Sequence, residues 1–286
     1  MASPGSTLRK LSVNGDLNHF PDFEISTMTT SDILLRHDEA SVAILTLNRP
    51  DKFNALSEAM LDALTVELDR IKEDESVRVV VMMANGRAFC AGHDLKEMRA
   101  QTNRAYLETL FSKCSGVMQR IGALPQPVIA VVQGMATAAG CQLVATCDLA
   151  ITSDQAKFAV SGINIGLFCS TPAVALSRSL SKKHALEMLM LGEFIDANKA
   201  LEFGLVNRVV PHDDIVVRAM EMARELSEKL PSALTLGKAL FYQQLNMPLS
   251  SAYETASEAI TCNFLNEDTL EGIDAFLEKR APTWKT

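Results

Sequence analysis

VIAVVQGMATAAGCQLVATCDLAITSDQAKFAVSGINIGLFCS, residues 128 to 170, is the stretch that decides how the rest of the chain is read. Its opening run, Val128–Val132, is wholly apolar, too short for a helix and without the polar alternation of a half-exposed strand, so it predicts a strand buried on both faces. A turn at Gln133-Gly134 follows, and then the small residues Ala136, Thr137, Ala138, Ala139 and Gly140, which allow close backbone approach. An apolar helix is expected from about 141 to 147. A strand, a small-residue turn and a helix in this order leave unpaired backbone N–H groups at the helix N-terminus. An anion or a developing oxyanion can be held there.

Residues 86 to 98, GRAFCAGHDLKEM, repeat the theme as a small-residue turn between a strand expected at 78 to 83 and a polar segment. This segment resembles the F-x-A-G-x-D-[IL]-K-E motif of the crotonase (enoyl-CoA hydratase/isomerase) superfamily, and residues 128 to 151 resemble its I-A-x-V-x-G-x-A-x-G-G-G-x-E-L motif. RPDKFNAL at 49 to 56, LGEFIDANKALEFGLVNRVVP at 191 to 211 and GIDAFLEKRAPTW at 272 to 284 resemble further segments of the same family. The resemblance runs in order through residues 32 to 286. It implies an α/β fold of the crotonase (ClpP/crotonase-like) type, a spiral of β-β-α units over 32 to 211. A helical C-terminal trimerisation region would follow over 212 to 286, giving a homotrimer or a dimer of trimers.

The resemblance also implies roles for individual residues. The backbone N–H groups of His93 and Ala139 would polarise the thioester carbonyl of an acyl-CoA, with Ala91, Gly92, Ala138 and Gly140 permitting the close approach. One such donor is commonly worth ~10²–10³ in rate. Lys52, Asn54, Ala55 and Leu56 match the loop that contacts CoA, Asp94, Leu95 and Lys96 the segment beside the thioester, and Phe276 and Lys279 residues that reach a CoA held by a neighbouring subunit. The CoA thioester is substrate or ligand, and no separate cofactor is expected.

At one point the chain departs from the family pattern. Hydration needs water activated for attack at Cβ and a proton delivered to Cα, work done in hydratases by two glutamates. The resemblance puts Gln142 and Gly162 at those two positions. An amide can orient water but cannot cycle a proton near neutral pH, and glycine offers only backbone. AAGCQLVA and GLFCSTPAVALSR are similar to a subfamily that shares this loss. Ordinary two-glutamate hydration and single-glutamate isomerisation are therefore not expected. His93 is a candidate acid or base if its ring turns inward; otherwise it faces solvent or caps the following turn. Cys169 and Ser170 are candidate nucleophiles without an identifiable base, against a packed thiol and a helix-capping serine. Ser161 and Asn164 can each give a hydrogen bond, to a ligand or to their own loop. Two functions stay open: an acyl-CoA enzyme with unorthodox proton-transfer groups, and a catalytically silent acyl-CoA-binding or regulatory protein.

Composition narrows the alternatives. With 27 Lys+Arg against 35 Asp+Glu, the net charge of −8 argues against a nucleic-acid partner, and no apolar run approaches the length of a membrane span. Cys90, Cys114, Cys141, Cys147, Cys169 and Cys262 sit among apolar residues without Cys-x-x-Cys spacing, so buried thiols are expected rather than disulfides or a metal site. The Rossmann G-x-G-x-x-G, the hydrolase G-x-S-x-G and His-Glu-x-x-His patterns do not occur. Residues 1 to 31 lack apolar periodicity and read as loosely attached; Arg9 and Lys10 beside Asp16, Asp22 and Glu24 make a poor mitochondrial presequence. A cytoplasmic location is expected, or a mitochondrial one if a presequence has been removed.

Patterning places the remaining elements. Strands are expected at 33 to 38 and 42 to 47, then a helix capped by Ser57 and running to about 72, with Met60, Leu61, Leu64, Leu68 and Ile71 on one face. A helix over about 102 to 121 buries Leu107, Leu110, Cys114, Val117 and Ile121. Further helices are expected at 172 to 180, 183 to 191 and 197 to 203, the last between an Asp196 cap and Gly204. LVNRVV reads as a strand, and helices at 212 to 229, 231 to 245, 249 to 266 and 269 to 279 complete the chain, the last with a capping box of Asp268 and Glu271.

Overall fold

A computed structural model of the protein describes residues 33–285, so the segment expected to be loosely attached at 1 to 31 lies outside the described residues. In chain order the first half comprises β1 (Leu34–Glu39), β2 (Val42–Leu47), α1 (Glu58–Lys72), β3 (Val79–Ala84), β4 (Ala88–Cys90), α2 (Leu95–Ala100), α3 (Arg104–Ala123), β5 (Val128–Val132), β6 (Met135–Thr137) and α4 (Ala139–Thr146). The second half comprises β7 (Leu149–Ser153), β8 (Lys157–Ala159), α5 (Ser170–Ser179), α6 (Lys182–Leu191), β9 (Ile195–Asp196), α7 (Ala197–Phe203) and β10 (Arg208–Val210). Four helices follow: α8 (Ile215–Ser227), α9 (Pro231–Gln244), α10 (Leu249–Phe264) and α11 (Glu267–Glu278).

The strands form two sheets. The larger is ordered β1-β2-β3-β5-β7-β10, with an antiparallel β1–β2 pair and parallel pairing from β2 onward. The smaller is ordered β4-β6-β8-β9, parallel except for the last pair. β3, β5 and β7 of the first sheet are each followed by a short strand of the second, β4, β6 and β8, and then by a helix, which is the β-β-α repeat of the crotonase fold.

Alternation within β5 shows why its sequence is uninterruptedly apolar. Val128, Ala130 and Val132 face the main core with α1, α3 and α4, while Ile129 and Val131 face α8 on the opposite side of the sheet. β3 does the same, with Val80 and Met82 inward and Val79 and Val81 toward α8. A two-sided strand has no exposed face on which a polar residue would be tolerated. α8 supplies Ile215, Ala219, Met220, Met222 and Ala223 as the covering layer.

Several local expectations are corrected. The buried stripe of α3 is Leu110, Cys114, Val117, Met118 and Ile121, with Leu107 only half buried near the helix start. The last helix starts at Glu267 with Asn266 as its cap, so Asp268 and Glu271 are not a capping box; Asp268 instead accepts from the backbone N–H of Lys285 and Glu271 pairs with Arg280. Five cysteines are buried free thiols, but Cys262 is exposed. The polar segment after the first small-residue turn forms the short helix α2, capped by the Asp94 side chain. No described helix is long and apolar enough to cross a membrane.

The helical C-terminal part leaves many apolar side chains in solvent. Phe241, Leu245, Leu249, Tyr253, Ile260, Phe264, Leu265, Phe276 and Leu277 are all at least half exposed on α9, α10, α11 and their junctions. The tail is tied back to α11 by the Arg280–Glu271 pair and by the indole of Trp284 packed over Gly272, where a Cβ would lie 2.9 Å from the ring.

Candidate functional site

The two small-residue turns meet at the ends of β4 and β6. Gly140, in the first turn of α4, lies so close to β4 that a Cβ would stand 2.1 Å from the Cys90 carbonyl oxygen. Gly92 adopts φ +91°, and a Cβ there would lie 3.0 Å from the Cβ of Ala138 and 3.2 Å from the backbone nitrogen of Ala139. Thr137 ties the turns together by donating its hydroxyl to the Ala91 carbonyl at 3.0 Å. Ala138 takes φ 49° and ψ −117°, a region unfavourable for a residue with a side chain, and is held there by its N–H donating to Ala159 at 2.9 Å. Strain of this kind costs on the order of 1–3 kcal/mol and survives only where the surroundings dictate it.

Among the described residues, neither the His93 nor the Ala139 backbone N–H donates a hydrogen bond. Ala139 is the first residue of α4, where the helix leaves its N–H groups unpaired. His93 is bridged to Leu56, but the bond there runs from the Leu56 N–H to the Gly92 carbonyl, which leaves the His93 N–H free. Two unpaired donors, brought together by the Gly92 contact with Ala138 and Ala139, suit a carbonyl oxygen that gains negative charge.

Gln142 stands one helical turn after Ala139 on the same face of α4, and its side chain leans toward the helix N-terminus. It is 4 % exposed, and its Oε1 is buried without a hydrogen-bond partner. The His93 ring turns inward as well, correcting the solvent-facing and capping alternatives: both ring nitrogens are buried and unpartnered, and the ring meets Phe111 of α3 edge-on with centroids 5.4 Å apart. Burial pushes its pKa below the ordinary value of 6.5, against a smaller opposing effect of the Leu56 carbonyl, which keeps the imidazole neutral at pH 7. The Tyr106 hydroxyl, also on α3, is a third buried and unpartnered polar group. Burial raises its pKa, as do the nearby carboxylates of Glu97, Glu58 and Asp94. A single aromatic in a polar helix face gives no sequence signal for such a role.

Gly162 has no room for any side chain. A Cβ would lie 2.4 Å from the Leu167 carbonyl oxygen and 2.7 Å from the Cys169 sulfur. The Cys169 thiol is thus packed under this loop, beside Cys141, with its pKa raised by burial, and burial with a raised pKa leaves little thiolate for nucleophilic attack. Ser170 is the first residue of α5 and caps nothing; its hydroxyl donates to Phe168. Asn164 satisfies its own loop by donating to the Gly192 carbonyl. Ser161 is half buried at the start of the same turn.

The 49 to 56 loop is braced from within. Phe53 and Asn54 both have positive φ, and the Asn54 side chain is fully buried, accepting from the Arg49 N–H and donating to the Asn85 and Ala88 carbonyls. The Asn54 side-chain amide therefore holds the loop in shape. Ala55 and Leu56 are also buried, and the Leu56 N–H is spent on Gly92. Lys52, Leu95 and Lys96 are exposed, Ala91 is half buried, and Asp94 both caps α2 and pairs with Arg49 at 3.4 Å. Phe276, 81 % exposed, and Lys279, at the end of α11, are not brought to this site within one chain. No group of three or more His, Cys, Asp or Glu that could hold a metal occurs among the described residues.

Comparison with known proteins agrees with this geometry. Residues 37–286 match the family model described as enoyl-CoA hydratase/isomerase. The chain is 47% identical over 240 residues to mitochondrial enoyl-CoA hydratase domain-containing protein 3 of Rattus norvegicus, covering 84% of this chain and 80% of the relative. A crystal structure of an enoyl-CoA hydratase from Mycobacterium smegmatis superposes with a TM-score of 0.87 at 55% identity, covering 90% of this chain and 100% of that one. The crystal structure of human enoyl-CoA hydratase domain-containing protein 3 superposes with a TM-score of 0.85 at 44% identity, covering 88% and 100%. The fold, the ordered motifs and these matches place the chain in the crotonase superfamily, as a member of the enoyl-CoA hydratase/isomerase family.

Proposed function

We propose that the protein binds an acyl-CoA and holds its thioester carbonyl between the backbone N–H groups of His93 and Ala139. The observation that carries this is the pair of unpaired donors brought together by the Gly92 contact with Ala138 and Ala139. Gln142 and the neutral His93 ring border the reacting carbons and orient water or substrate oxygens. The exposed Lys52, Lys96 and Leu95 would meet the CoA phosphates and pantetheine, Lys52 exchanging its surface pairing with Asp51, with Ala55, Leu56, Asp94 and Ala91 lying behind them. The thioester is the substrate, and no separate cofactor takes part.

The reading is of an enzyme of the crotonase type whose proton transfers do not use the two hydratase glutamates. A silent acyl-CoA-binding protein is the second reading, favoured by the closure of the space at Gly162. The exposed apolar face of α9 to α11 supports a trimer or a dimer of trimers, in which Phe276 and Lys279 reach a neighbour's ligand. The mitochondrial designation of the rat relative favours that compartment over the cytoplasm. Hydration of crotonyl-CoA and of a longer enoyl-CoA by the purified protein, with acyl-CoA binding measured in parallel, tests the proposal. Binding with negligible hydration is expected; hydration at an ordinary hydratase rate would show that other groups perform the two-glutamate chemistry, and absence of binding would overturn the proposal.

A further inference from the structure

The Tyr106 hydroxyl is buried on α3 without a hydrogen-bond partner. Its ring packs against the main core, and Phe111, the α3 residue that meets the His93 ring, follows it by about one and a half turns, roughly 7.5 Å along the helix axis. Carboxylates stand around it. Glu97 accepts from the Glu58 N–H at 3.2 Å, Glu58 pairs with Lys113 at 2.7 Å, and Asp94 caps α2 and pairs with Arg49 at 3.4 Å. Lys113 is also held by Asp62 at 2.8 Å, so both cations of the cluster are committed to carboxylates already present. From this arrangement we infer that Tyr106 is a specificity residue of the proposed thioester site. Its phenol donates to a neutral oxygen of the bound thioester, and the carboxylates around it exclude acyl groups that carry a second anion. The inference rests on the thioester reading and narrows its substrate class.

A buried hydroxyl with no partner has given up its hydrogen bonds to water and regained none, so the folded chain alone gives no return for enclosing it. An acceptor on a ligand restores the balance. None of the neighbouring carboxylates takes the phenol's proton, because Glu97 and Asp94 are turned to helix N-termini and Glu58 to Lys113. Burial and the charges of Glu97, Glu58 and Asp94 raise the phenol's pKa above its ordinary value of 10, against a smaller opposing effect of Lys113, so at neutral pH the group is a donor. A second carboxylate on the acyl group would meet like charges here with no spare cation to receive it. A neutral carbonyl or hydroxyl oxygen meets only a donor. The thioester oxygen is taken by the His93 and Ala139 N–H groups in the proposed site, so the accepting oxygen belongs either to the acyl group or to the pantetheine arm.

The test is calorimetric titration of the unmodified protein and of Tyr106→Phe with free CoA, butyryl-CoA, acetoacetyl-CoA, 3-hydroxybutyryl-CoA and succinyl-CoA. The unmodified protein should bind butyryl-CoA about 10–100-fold more tightly than succinyl-CoA, and Glu97→Gln, which keeps an oxygen for the Glu58 N–H, should narrow that ratio by about 3–10-fold. Tyr106→Phe should weaken binding by about 2–10-fold, the size of one neutral hydrogen bond. Weakening confined to acetoacetyl-CoA and 3-hydroxybutyryl-CoA assigns the contact to the acyl oxygen; equal weakening of every ligand, free CoA included, assigns it to the pantetheine arm. Without ligand, Tyr106→Phe should melt at or above its parent, because the lost hydroxyl had no partner. A lower melting temperature with unchanged affinities would make the hydroxyl structural and overturn the inference. Succinyl-CoA bound as tightly as butyryl-CoA would also overturn it, while leaving the thioester site intact. Failure to bind any of these thioesters overturns the site itself.

Discussion

Adding one methyl group at Gly162 tests whether the second hydratase carboxylate is merely missing or is physically excluded. The Cβ of Gly162→Ala would stand 2.4 Å from the Leu167 carbonyl oxygen and 2.7 Å from the Cys169 sulfur, both inside ordinary contact distance. The thiol belongs to a side chain and can yield, but the carbonyl belongs to the backbone of a turn closed by the Leu167 N–H bonding to Gly162 at 2.9 Å. Overpacking of this kind costs about 1–3 kcal/mol. At roughly 2–4 °C per kcal/mol for a chain of this class, the melting temperature should fall by about 2–12 °C. Gly162→Glu adds a charge to the same clash and should fall further without gaining hydratase activity, alone or with Gln142→Glu. Cys169→Ala in the Gly162→Ala background removes one of the two clashing atoms and should recover part of the loss. Thermal unfolding followed by circular dichroism reads each of these. A Gly162→Ala protein melting within about 1 °C of its parent would refute the reasoning, since the loop would then open at no cost.

Three further outcomes follow from the structure. Gly92→Ala meets φ +91° and the Ala138 Cβ, the Thr137 carbonyl oxygen and the Ala139 nitrogen of the facing turn at 3.0–3.2 Å, so it should erase the preference for acyl-CoA over free CoA in calorimetric titration. Lys238 donates to the Ile121 and Gln126 carbonyls and to Asp148, which also accepts from Tyr242 and from the Val128 N–H, and this node pins α9 to the core. Lys238→Met leaves the Asp148 carboxylate without its buried partner and should cost about 3–5 kcal/mol in denaturant unfolding; an unchanged midpoint would remove the node from the stability account. His93 has a folded-state pKa depressed by burial below its unfolded value of 6.5, so the unfolded chain binds more protons than the folded one beneath that pH. Its contribution is fully present above pH 6.5 and is lost as pH falls through the folded pKa; melting curves from pH 7.5 to 5.5 should be flatter for His93→Gln than for the parent.

The long strands and amphipathic helices were legible because their periods are enforced by burial. Val128–Val132 could only be two-sided, and Ser57 and Asp196 cap α1 and α7 as their spacing indicates. The three-residue strands β4, β6 and β8 escaped notice because so few residues carry no period; their pairing comes from close backbone packing at Gly134 and Gly140. At the site, the small-residue turns were readable as a place of close approach, whereas the inward turn of the His93 ring depends on Phe111, eighteen residues away on α3. Asn54 shows what motif matching leaves out: its position in the 49 to 56 loop does not reveal that its side-chain hydrogen bonds turn inward to fix a left-handed backbone.

The claim on which the account turns is that the His93 and Ala139 N–H groups polarise a thioester carbonyl, and the vibration of that carbonyl reports on it directly. Isotope-edited infrared difference spectra of butyryl-CoA labelled with carbon-13 at the carbonyl, bound to the protein, should show the stretch moved to lower frequency than in water. The shift should be lost in Gly92→Ala at protein concentrations high enough to force binding. A bound carbonyl at its aqueous frequency, in a protein that nevertheless holds the CoA, would contradict the account.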